Sequence, residues 1–137
     1  MKRVTGIGGI FVKYNDPQAT KDWYSKHLGM QMDQYGTTFE WRDSDQPEKK
    51  GYTQWSAFEA DSNYMEPSKA QFMINYRVEN LEELAKLLRE EGVTILDEIE
   101  TYEYGKFVHI LDNEGIKIEL WEPFDEEHAK YVEGLTK

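Results

Sequence analysis

The chain has 137 residues, enough for one domain that buries about two-thirds of the surface exposed on unfolding. Sixteen basic against twenty-seven acidic side chains leave a formal charge of −11, which opposes duplex DNA, RNA backbone and anionic membranes as partners, since each needs a positive footprint. With no cysteine, disulfides, thiolate zinc sites, iron–sulfur clusters and cysteine nucleophiles are excluded; no apolar run reaches a membrane span and Met1-Lys2-Arg3-Val4 lacks a signal-peptide stretch, so a soluble cytoplasmic protein is expected.

Residues 7–14 are rich in β-branched and aromatic side chains and predict a strand, with Gly8 and Gly9 marking a bend or a close backbone approach. Asp16-Pro17 then supplies a cap and a first-turn proline, Ala19, Trp23, Tyr24 and Leu28 recur at helical spacing, and Gly29 is the stop. Residues 30–35 and 37–42 read as two short strands about Gly36, residues 43–51 as a polar loop, and residues 52–59 as a further strand. After the aperiodic polar stretch 61–70, where Tyr64 and Met65 could lie across a neighbouring module, the order recurs. Residues 71–78 predict a strand, Asn80 a helix cap, and Leu81, Leu84, Ala85 and Leu88 the apolar stripe of a helix that Gly92 closes. Residues 93–104 supply strand material, 106–111 another strand, Asp112-Asn113-Glu114-Gly115 a tight turn, and 116–122 the last strand. Residues 125–135 predict a short C-terminal helix.

The two halves match at an offset of roughly 64 positions, Ile10 against Ile74, Asp16 against Asn80 and Gly51 against Gly115. The expectation is a single α+β domain over residues 1–137 built of two βαβββ modules, about 4–60 and 71–123. Strand alternation then sorts side chains by face. Ile116, Ile118, Leu120, Val108, Ile110, Ile10, Val12, Ile74, Tyr76 and Val78 belong toward the helices. Gly9, Phe11, Met73, Asn75, Phe107, His109, Glu119 and Trp121 gather on the opposite face, with His109 beside Glu119. A concave sheet face with aromatic walls and a few polar groups suits a small-molecule site, or alternatively the packing surface for a second subunit.

The doubled βαβββ order, Gly6-Ile7-Gly8-Gly9-Ile10-Phe11-Val12-Lys13-Tyr14-Asn15-Asp16-Pro17, Trp23-Tyr24-Ser25-Lys26-His27-Leu28-Gly29-Met30, and above all Phe107-Val108-His109-Ile110-Leu111-Asp112-Asn113-Glu114-Gly115-Ile116-Lys117-Ile118-Glu119-Leu120-Trp121-Glu122-Pro123 carry a family resemblance. Over residues 4–123 the chain resembles the glyoxalase, bleomycin-resistance and extradiol-dioxygenase superfamily, also called vicinal oxygen chelate proteins. The resemblance implies a curled mixed sheet forming a cup with helices on its outer face, a homodimer, and in enzymes a divalent metal in the cup that stabilises an anionic intermediate. It places the metal ligands at Gly9, at Gln54 or Trp55, at Met73 and at Glu119. Glycine offers no donor, a thioether suits neither zinc nor magnesium, and Gln54 coordinates weakly, so Glu119 is the one matching ligand position.

The expected site therefore has Glu119 and His109 as acid–base pair or polar anchors, with Phe11, Gln54, Trp55, Met73, Asn75, Phe107 and Trp121 binding the ligand. Two other readings stay open at this point: a metal-dependent lyase or isomerase of the glyoxalase type, and a structural or regulatory dimer with a collapsed cup. Arg77 is a weak candidate anchor for an acidic ligand, and the run from Asp97 to Glu103 reads as a solvated acidic edge. No phosphate loop and no nucleophile elbow is present. The charge of −11 favours a cationic ligand at long range.

Overall fold

The computed structural model describes residues 2–124; the expected C-terminal helix lies outside the described residues. The strands and helices are β1 (Val4–Tyr14), α1 (Pro17–Leu28), β2 (Gly36–Arg42), β3 (Lys50–Glu59), β4 (Phe72–Val78), α2 (Leu81–Glu90), β5 (Glu100–Tyr102), β6 (Gly105–Leu111) and β7 (Lys117–Pro123). All seven strands join one open mixed sheet in the order β2-β3-β1-β4-β7-β6-β5. This is the α+β architecture the sequence predicts.

Both helices start and stop where their end residues dictate. The Asp16 carboxylate accepts the Ala19 N–H at 3.0 Å ahead of Pro17, and Gly29 closes α1 in the left-handed conformation, φ 70°. Asn80 caps α2 through the Glu83 N–H; Leu81, Leu84 and Ala85 are buried, the two leucines in one cluster with Val78, Val108, Ile110 and Leu120. Leu81 and Leu84 each contribute about 1.5–3 kcal/mol by leaving water.

The halves meet along the antiparallel pair β1–β4, where Ile10 is the Cα partner of Ile74. Those are the residues that the repeat offset equates, so the pseudo-twofold axis passes between them. In each half the first strand pairs in parallel with the last: Phe11 with Ser56, Asn75 with Glu119.

One predicted strand does not form. Residues 30–35 precede β2 without regular pairing, because the Asp33 carboxylate accepts both the Tyr35 and Gly36 N–H groups, at 2.8 and 3.0 Å, and the Asp33 N–H donates to the Gly36 carbonyl. A side-chain acceptor satisfies the turn locally, which competes with strand pairing. Of the material at 93–104, only Glu100–Tyr102 becomes a strand, with an isolated bridge between Ile95 and Ile110.

Candidate functional site

On the sheet face away from the helices, β6 and β7 set His109 directly opposite Glu119, and β4 sets Asn75 beside Glu119. Glu119 is 3% exposed, yet both its oxygens are satisfied. Oε1 accepts from Asn75 Nδ2 at 2.7 Å, and Oε2 accepts from His109 Nε2 at 2.7 Å and from the Tyr64 hydroxyl. The other ring nitrogen, His109 Nδ1, lies 2.6 Å from Asp97 Oδ2, while Asp97 Oδ1 accepts the His109 backbone N–H at 2.8 Å. Carboxylates on both sides offer acceptors to the two ring nitrogens, a geometry that favours the imidazolium, which donates from both.

The titration directions agree with this geometry. Burial on its own lowers the His109 pKa, but the hydrogen bonds to Glu119 and Asp97 outweigh it and raise the group above its ordinary 6.5. Burial on its own raises Glu119, but hydrogen bonds from His109, Tyr64 and Asn75 outweigh it and hold the group below 4.5. Burial and the charge of Glu119 push the Tyr64 phenol well above its usual range, so it stays a neutral donor.

The two shifts express one ion pair and fix the sign of its pH dependence. The His109 contribution is complete below pH 6.5 and is lost as pH rises through the raised folded-state value. The Glu119 contribution is complete above pH 4.5 and is lost as pH falls through the lowered value. The stability gap between wild type and His109→Gln, read from urea midpoints, is therefore expected to peak between pH 4.5 and 6.5 and to shrink on both sides.

Glycines make room for these side chains. An added Cβ at Gly8 would sit 2.2 Å from Asn75 Oδ1 and 2.8 Å from the Trp121 ring. The chain bulges between Ile7 and Gly9, and the bare backbone there lets the Asn75 amide turn its Nδ2 to Glu119. Beyond Asn75, the Arg77 guanidinium lies between Trp41 and Trp121, 5.3 and 5.2 Å from their ring centroids. Phe107 stacks on Trp121 at 5.7 Å and an interplanar angle of 7°. Arg77, expected as an anchor for acidic ligands, is 4% exposed and embedded in this aromatic stack.

Glu119, His109 and Asn75 thus come into direct contact, and Phe107 and Trp121 wall the same face. Phe11 pairs with Met73, and Gln54 lies farther across, bonded to Thr38 Oγ1 at 2.7 Å and Ser56 Oγ at 3.1 Å. Trp55 is a correction: it stacks on Tyr24 of α1 at 4.8 Å and meets Tyr14, on the helix side of the sheet. Neighbours along a strand point to opposite faces, so Gln54 and Trp55 cannot both line the cup, and the larger apolar ring takes the buried side. The sequence reading missed Asp97 and Tyr64. Asp97 sits in an acidic run that looked merely solvated; its position just beyond the segment that bridges β6 is the structural signal. Tyr64 belongs to a linker without periodicity, and the Tyr-Met pair within otherwise polar residues was its only mark.

The donor set does not suit a divalent cation. Every Glu119 oxygen is engaged by a protein donor, and Met73 at a family ligand position is fully buried beside Phe11. A Cβ at Gly9 would lie 2.6 Å from Phe11 Cζ, so a coordinating side chain there would have to displace the Phe11 ring. Among the described residues, no group of three or more His, Asp or Glu side chains is arranged to hold a metal ion.

A family model described as Glyoxalase/Bleomycin resistance protein/Dioxygenase superfamily matches residues 6–120. Among solved structures, methylmalonyl-CoA epimerase from Mycobacterium tuberculosis is 24% identical, over 94% of this chain and 95% of that one, with a TM-score of 0.60. A variant of Streptomyces coelicolor methylmalonyl-CoA epimerase in complex with 2-nitronate-propionyl-CoA is 18% identical over 88% and 99% of the two chains, with a TM-score of 0.65. A Legionella pneumophila protein described as NAD-dependent benzaldehyde dehydrogenase is 10% identical over 84% and 97%, with a TM-score of 0.54. At these identities the likeness is one of fold. No curated protein matches the chain. No helix among the described residues is long and apolar enough to cross a membrane.

Proposed function

Since the chain belongs to the glyoxalase/bleomycin resistance protein/dioxygenase superfamily, we propose that it binds a small, partly aromatic molecule on the cup face, with Glu119 and His109 as polar anchors and no metal between ligand and protein. The observation that carries this reading is the convergence of three donors on the buried Glu119 carboxylate, one of them from Tyr64, a 41% exposed linker side chain. Asn75 and His109 are built into the sheet; Tyr64 comes from the linker and is partly exposed, so its hydroxyl can yield its place to a ligand donor. Phe11, Phe107 and Trp121 supply the apolar wall. The same reading keeps the expectation of a cytoplasmic homodimer.

Acyl-CoA ligands, as in the epimerase complexes, are disfavoured at long range, because a polyanionic cofactor approaches a chain of charge −11. A metal-dependent lyase or isomerase would require Glu119 to release its protein donors to a cation. Elemental analysis separates the two readings: near-stoichiometric metal, lost together with activity on chelation, supports the lyase and overturns the metal-free one.

Glu119→Gln tests the anchor itself. The amide keeps the shape but loses the charge and half the acceptor capacity. In a thermal-shift and calorimetric screen of aromatic metabolites and cationic antibiotics, any ligand of the wild type is expected to bind Glu119→Gln at least about ten-fold more weakly. Equal affinity for both proteins removes Glu119 from the site.

A further inference from the structure

Resting on the reading of Glu119 as ligand anchor, we infer that the cup takes a neutral phenol, and that Tyr64 occupies the phenol's place until a ligand displaces it. The Tyr64 side chain is already recognised as a separate ligand would be. Its hydroxyl donates to Glu119 Oε2. Its ring meets the His109 ring edge-on at 5.4 Å and 89°, and packs on Phe58 at 5.8 Å. Lys117 Nζ stands 5.3 Å from the ring centroid while donating to the Tyr64 carbonyl at 2.6 Å. The following residue, Met65, is fully buried and pins the linker backbone. Rotation of the Tyr64 side chain about its own Cα–Cβ bond therefore frees an acceptor position on Glu119 Oε2 without moving the linker backbone.

Local chemistry narrows the occupant further than net charge does. Glu119 accepts and repels anions, so the incoming group must be a donor without negative charge. The Lys117 ammonium stands over the ring position, so a second cation there meets like charge. The overall charge of −11 attracts cations from afar, but Lys117 opposes them at the ring position. An aliphatic alcohol supplies the donor and forfeits the ring contacts to His109, Phe58 and Lys117. A neutral phenol satisfies all of them.

Tyr64 is a tethered competitor at an effective concentration on the order of millimolar, which lowers the apparent affinity of the wild type for free phenols by the fraction of time the side chain is out. The test is calorimetric titration of 4-methylphenol, 4-methylanisole and benzylammonium into wild type, Tyr64→Ala and Tyr64→Phe, with Tyr64→Ser as the second opening variant should alanine not fold. Tyr64→Ala is expected to bind 4-methylphenol at least about ten-fold more tightly than wild type, and at least about ten-fold more tightly than it binds 4-methylanisole, which cannot donate. Tyr64→Phe, whose ring still fills the place, is expected to show no such gain. Equal affinity of wild type and Tyr64→Ala for 4-methylphenol, or equal affinity of Tyr64→Ala for the two oxygen probes, overturns the inference. Benzylammonium binding to Tyr64→Ala but not to its Glu119→Gln double variant, with 4-methylphenol silent, sinks the phenol assignment and leaves Glu119 as anchor. Silence of all three probes sinks both.

Discussion

Glu119→Ala is expected to destabilise the fold by about 3–5 kcal/mol, the usual cost of removing one partner from a buried, hydrogen-bonded charge pair. Glu119 is 3% exposed, and its loss strands two buried donors at once, the His109 ring Nε2 and the Asn75 amide, and frees the Tyr64 hydroxyl from its acceptor. His109 keeps Asp97 on its other nitrogen, so part of the penalty is relieved by that bond or by loss of the ring proton. For a chain of this size the melting temperature should fall by roughly 10–15 °C. Glu119→Gln, which retains an acceptor, should fall by less than half as much. Equal and small losses for the two variants, measured by thermal and urea unfolding, would show that solvent reaches the carboxylate and that the ion pair is not buried in solution.

The second large effect belongs to Gly36→Ala. Gly36 opens β2 with φ 144°, where a side chain is strained, and an added Cβ would lie 1.9 Å from the Trp55 carbonyl oxygen, a backbone atom that cannot swing aside. Strain of about 1–3 kcal/mol adds to an overpacking cost of about 1–3 kcal/mol. The β2–β3 register must shift to relieve it, and β2 is an edge strand. Gly29 provides the contrast. It also has positive φ, 70°, but nothing lies within 4 Å of its would-be Cβ, so Gly29→Ala should cost only about 1–2 kcal/mol. A Gly36→Ala midpoint no lower than that of Gly29→Ala would refute the steric argument.

Much of this fold was legible because its signals are periodic or punctuated. Asp16, Pro17, Gly29 and Asn80 mark helix ends by chemistry that acts locally, and Ile10 and Ile74, which the repeat offset equates, are Cα partners across β1 and β4. Parity along β4, β6 and β7 placed Asn75, His109 and Glu119 on one face because each strand carries a largely apolar set on the other, aliphatic on β6 and β7 and with Tyr76 on β4. Parity failed at Trp55 because two adjacent residues were both assigned to the cup, and it cannot reach Asp97 or Tyr64 at all. Those two arrive from irregular segments, where direction is set by tertiary packing: Asp97 by the bonds of its neighbours Ile95 and Leu96 to β6, Tyr64 by the burial of Met65. Residues 30–35 show the remaining limit, since a strand-like composition yields to one aspartate that closes a turn.

The duplicated sheet has a consequence for how a guest molecule is oriented. Phe11 pairs with Ser56 as Asn75 pairs with Glu119, and Gly36 faces Ser56 as His109 faces Glu119. A half-turn about the axis between Ile10 and Ile74 thus carries amide, carboxylate and imidazole onto phenyl, hydroxyl and bare backbone. Two identical halves would have accepted the same guest head-first or tail-first without preference. With the chemistry confined to one half, only one of those poses meets a charged partner, so the pseudosymmetric frame reads its guest with a single polarity.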